Sequence, residues 1–60
     1  MLRYRVWMQV PGAEKPQQAI CATEKMAREF LQLLLDAGQP KGTHYRIYRT
    51  DEIMVEQGEI

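Results

Sequence analysis

Serine and asparagine are absent from the 60 residues, and histidine and cysteine occur once each. Without serine there is no Ser-His-Asp triad. A lone cysteine, Cys21, forms no internal disulfide and has no second thiolate with which to build a metal site. It also fits a reducing compartment. Neither sign of charge is in excess, since eight basic side chains meet eight acidic ones. A strong nucleic-acid binder usually carries a basic surplus. Gly12, Gly38, Gly42 and Gly58 are scattered, so no phosphate-cradling loop is present. No apolar run approaches the roughly 20 residues that cross a bilayer. The N-terminus carries no basic segment followed by an apolar run, the pattern of a secretory signal. The expectation is a soluble, cytoplasmic, non-enzymatic chain with no cofactor, no metal and no membrane contact.

Sixty residues form one domain, 1–60, near the lower size limit for independent folding. Such a chain buries only about 60% of the surface its unfolded state exposes. With neither disulfide nor metal to add stability, a partner subunit is the stabiliser that remains. A homo-oligomer is therefore expected.

What is present is a clear succession of periodicities. RYRVWMQV at 3–10 alternates as a strand does, within a first strand over about 2–10. Pro11, Gly12 and Pro16 punctuate the chain after it. Residues 17–22 read as a second strand, against a rival helix running from Pro16 to Asp36. Thr23 decides between them as an N-cap, with Glu24 in the first turn where the helix dipole favours negative charge. Met26, Ala27, Phe30, Leu31, Leu33, Leu34 and Ala37 recur at spacings of three and four, which predicts a helix over 24–37. Phe30 is the expected centre of its buried stripe. Gly38 supplies a left-handed C-terminal residue and Pro40 prevents continuation. HYRIYRT at 44–50 and residues 53–57 give a third and a fourth strand, joined by a turn at Asp51-Glu52.

The order strand, strand, helix, strand, strand predicts an α+β fold. It is a small ββαββ two-layer sandwich, with one helix on a four-stranded antiparallel sheet in the order 2-1-3-4. The helix is expected to cover Tyr4, Val6, Met8, Ile20, Tyr45, Ile47, Ile53 and Val55. Alternation then places Arg3, Arg5, Trp7 and Gln9 on the uncovered face, beside His44, Arg46 and Tyr48, with Met54 and Glu56 at the margin. Solvated cross-strand pairs, including Arg46 with Glu56, are the plain explanation of such a face. Trp, Tyr and Arg are also the types enriched at interface hot spots.

Arg3, Arg5, Trp7, His44, Arg46 and Tyr48 are thus the candidate binding residues. The leading expectation is a protein-interaction or regulatory module that associates with itself. The alternative is a nucleic-acid-binding module in which arginines meet phosphates and aromatics stack on bases. Leu31 and Leu35 widen the apolar stripe of the helix and are candidate oligomer contacts. Cys21 and His44 are the one nucleophile-base pair in the composition. The proposed strand order separates them by a strand, out of the hydrogen-bond contact such a pair needs.

Overall fold

The computed structural model describes residues 2–60. Four strands and one helix follow the expected order: β1 (Tyr4–Gln9), β2 (Gln17–Cys21), α1 (Glu24–Asp36), β3 (His44–Arg49) and β4 (Met54–Glu59). The strands form one sheet in the order β2-β1-β3-β4, each neighbouring pair antiparallel. Among the described residues no helix is long and apolar enough to cross a membrane.

The helix begins where the sequence places its cap. Thr23 is extended, and its Oγ1 accepts from the Met26 backbone N–H at 3.1 Å, satisfying one of the donors that a helix start leaves unpaired. At the other end the Ala37 N–H donates to the Leu33 carbonyl. Gly38 follows at φ +87°, a left-handed value that glycine adopts without steric cost.

Val6 and Met8 of β1, Ile47 of β3, and Ala27 and Leu31 of α1 form the buried core. Tyr4, Cys21, Leu34, Leu35, Tyr45 and Val55 pack around it, half-buried. The helix is turned relative to the expected orientation. Ala27 and Leu31 point at the sheet, Phe30 is only half-buried, and Met26 and Leu33 are 51% and 70% exposed. Leu31 and Leu35, expected as an oligomer contact, are taken up by the core instead. The apolar arc of the helix is wider than the part of its surface that meets the sheet, so periodicity alone left the facing residues undetermined.

Two strand residues also change faces. Ile20 lies opposite Arg5, which puts it on the open side at 56% exposure, while its neighbours Ala19 and Cys21 turn toward the helix. In β4, Ile47 opposes Glu56 while Tyr48 opposes Met54, leaving Val55 as the extra residue of a β-bulge. The bulge shifts the alternation by one residue. Met54 stays on the open face, but Glu56 turns to the helix side and bonds Arg28 at 3.0 Å rather than Arg46. Ile53, expected under the helix, precedes β4 and is 50% exposed.

The helix contacts β1 and β2 most closely and leaves β4 to other cover. Tyr45 supplies part of it. Its ring lies against the bare Cα of Gly58, directly across from it, where a side chain would collide with the ring. The connection from α1 to β3 is closed by Thr43, which is buried and donates from Oγ1 to the Pro40 carbonyl at 2.7 Å.

The orientation of the helix has a direct test in dilute solution. Leu31→Ala should cost about 2–5 kcal/mol in urea unfolding, because it empties a core position. Leu33→Ala should stay within about 0.5 kcal/mol, as exposed substitutions do. Equal losses at the two positions would contradict the helix face described above.

Candidate interaction face

One side of the sheet has no layer over it. Its residues come from the odd positions of β1 and the even positions of β3, which the register sets directly opposite one another: Arg5 with Tyr48, Trp7 with Arg46, Gln9 with His44. β2 adds Gln18 beside Trp7 and Ile20 beside Arg5. β4 adds Met54 beside Tyr48, Gln57 beside Arg46 and Glu59 beside His44. Arg3 stands just before β1. It is tied to the end of β3 by its N–H to Thr50 Oγ1 at 3.2 Å and by the Thr50 N–H to its carbonyl at 2.9 Å.

The central rows are interleaved cations and rings. The Arg46 guanidinium lies 4.9 Å from the Trp7 ring centroid and donates to Tyr48 Oη at 3.1 Å. Arg5 lies over the Tyr48 ring at 5.6 Å. Each such pair contributes about 0.5–1 kcal/mol at an exposed site. Trp7, Arg46 and Tyr48 are half-buried among their neighbours on this face, while Arg5 and His44 stay exposed.

The arginines divide into two groups, paired and unpaired. Arg28 pairs with Glu24 and Glu56, both on the helix side of the sheet. Arg49 pairs with Asp51 in the β3–β4 turn, and its hydrogen bond holds the Asp51 carboxyl below the ordinary carboxylate range. His44 Nε2 lies 3.2 Å from Glu59. Arg3, Arg5 and Arg46 have no carboxylate partner among the described residues. The open face thus carries three arginines against one glutamate, leaving five basic and seven acidic side chains elsewhere. A neutral chain has one positive face.

The relief of this face is low. Besides a hollow of about 240 Å³ next to Arg5 and Ile20, a larger one of about 270 Å³ is lined by His44, Arg46, Gln57 and Glu59 together with Tyr45 and Gly58. Both are below the roughly 300–1,000 Å³ typical of small-molecule sites. Cys21 and His44 do not come together. Cys21 faces the helix from β2, His44 faces the opposite side of the sheet from β3, and β1 runs between them. Among the described residues, no three His, Cys, Asp or Glu side chains cluster where a metal ion could be held.

All six sequence-derived candidates lie on or beside this one face. Ile20, Gln18 and Gln57 join them unannounced. The short β2 segment QQAIC has no alternation from which its parity could be read. Comparison with models of known families, with curated proteins and with solved structures returns no match.

The stack has a thermodynamic signature. A double-mutant cycle on Trp7→Ala and Arg46→Ala should give a coupling of about 0.5–1 kcal/mol in unfolding free energy, the worth of one exposed cation–π pair. Met8→Ala, one residue away on the buried face, should by itself cost about 2–5 kcal/mol. Additive effects of the first two substitutions would mean that the ring and the guanidinium do not interact.

Proposed function

We propose that this chain is a non-enzymatic protein-interaction module whose working surface is the open sheet face, and that its partner presents an acidic, partly apolar segment. The observation carrying this reading is the pairing of Trp7 with Arg46 and of Tyr48 with Arg5 on an uncovered sheet, with the arginines lacking carboxylates of their own. Stacking pre-orders the guanidinium groups, so less side-chain freedom is lost when carboxylates from a partner bind them. Ile20, 56% exposed, stands beside Arg5, and Met54, 42% exposed, beside Tyr48, adding apolar surface at that end of the face. Aromatic and arginine anchors inside an apolar surround are the usual composition of a binding hot spot.

A nucleic-acid partner is the second reading, favoured by the same unpaired arginines, which are also good phosphate ligands. Against it, each aromatic ring already has a guanidinium on it, so neither offers a bare platform to a base. A regulatory role would follow from whichever partner is held.

Trp7 is the only tryptophan, and its fluorescence reports on the centre of the face. Two probes separate the readings: a glutamate-rich peptide containing leucine, and an oligothymidylate. The peptide should change Trp7 emission, with affinity reduced at least about 10-fold by Arg46→Ala and lowered by added salt, since arginine–carboxylate contacts at an exposed face are screened. Binding of the oligothymidylate with a steep salt slope, near −0.7 per phosphate on a single strand, would transfer the face to nucleic acid. If neither probe changes the emission, the face is a solvated sheet surface and the proposal fails.

A further inference from the structure

A second surface, remote from the Trp7–Arg46 stack, lies along the β2 side of the molecule. Met26, Phe30, Leu33 and Ala37 are spaced four, three and four residues apart, which aligns them in one stripe along the helix. Met26, Leu33 and Ala37 are exposed and Phe30 is half-buried. Arg28, about half a turn around the helix from this stripe, reaches Glu56 of β4. The stripe therefore lies on the opposite flank, above β2.

β2 is an edge strand, and its backbone is open on that same flank. Natural edges are usually guarded by charge, proline or a bulge. The other edge, β4, has such guards in its bulge and in Glu56 and Glu59. β2, with the sequence QQAIC, has no charge, no proline and no break in its pairing with β1.

We infer that two copies of this chain join through β2. Antiparallel pairing about a two-fold axis perpendicular to the sheet would make one continuous eight-stranded sheet, with both helices on the same side. The dimensions fit. The helix lies over β1 and β2. With strands about 4.8 Å apart, the two helix axes would then run about 10 Å apart. That matches the 8–10 Å at which helices pack side by side. The two-fold also runs the helices antiparallel, setting the large Met26 and Phe30 of one copy toward the smaller Ala37 and Leu33 of the other. Lys25 in the first turn comes toward the end of the partner helix that carries Asp36, while its acidic neighbour Glu24 is held by Arg28 on the far flank. A parallel arrangement would set like charges together. The contact is about 17 Å long, the length of a five-residue strand, and two layers deep. It falls at the small end of stable interfaces, where association is commonly weak.

Sedimentation equilibrium from about 1 to 500 μM, the range suited to a small interface, should show the mass rising from 7.0 kDa to twice that value. Leu33→Glu, at a 70% exposed position, should keep the monomer's circular dichroism while weakening association at least about 30-fold, since the seam would bury a charge. Hydrogen exchange of β2 amides in the parent protein should slow as concentration rises, and in the Leu33→Glu variant it should not. A parent that stays monomeric throughout, or a folded Leu33→Glu variant that still dimerises, overturns the inference. Dimerisation lost with Trp7→Ala but kept with Leu33→Glu would assign self-association to the open face instead. Since the peptide titration is read at the open face, the two proposals fail independently.

Discussion

One helix is too narrow for the sheet it must cover. An α-helix with its side chains is about 10 Å wide, whereas four strands at about 4.8 Å spacing span nearly twice that. The helix settles over β1 and β2, and Ala27 and Leu31 close on Val6 and Met8 of β1 and on Ile47 of the adjoining β3. The uncovered half of the sheet is finished by cheaper means. Tyr45 folds across Gly58, Val55 is turned inward by the bulge, and the Arg28–Glu56 pair joins the helix flank to β4. That pair is well exposed and adds little to stability. It does fix which flank of the helix points toward β4.

The same off-centre position explains the apolar stripe on the other flank. The helix turns Ala27 and Leu31 to the sheet, and the Phe30 and Leu33 side of it lies away from that face. Displaced toward β2, it spends Leu31, Leu34 and Leu35 on the core and leaves Met26, Phe30 and Leu33 overhanging an unguarded edge. The open face has a different origin. Among the described residues no second helix covers it, so strict alternation in β1 and β3 delivers arginines and aromatics there, and they shield one another by stacking.

The fold was legible because its strongest signals are local. Thr23 and Gly38 bracket the helix through hydrogen bonding and backbone conformation that depend on a few neighbours. The alternation of β1 and β3 fixed which of their residues share a face, and the right-handed crossover through the helix set the two strands side by side. Features decided by long-range fit were not legible. Ile20 and Cys21 are both good strand residues, and only the register across the hairpin selects Cys21 for the helix side. The bulge at Val55 has no glycine or proline to announce it, yet it moves Glu56 across the sheet. The rotation of the helix depended on where the helix sits over the sheet, which its own periodicity does not contain.

The two proposed surfaces reinforce each other in one geometry. Pairing through β2 extends the sheet edgewise and covers none of its open side, so a dimer would present two copies of the Trp7–Arg46 stack on one continuous face. The two β1 strands would be separated by three strand spacings, about 14 Å. A partner segment of only five or so extended residues spans that distance at about 3.3 Å per residue. Such a segment could engage both stacks at once, and the second contact would form at the high effective concentration set by the first. Two shallow sites, each weak alone, would then act as one strong site. An edge left unguarded on one strand and a face left uncovered on its neighbour would have the same consequence: a small domain that gains affinity by doubling.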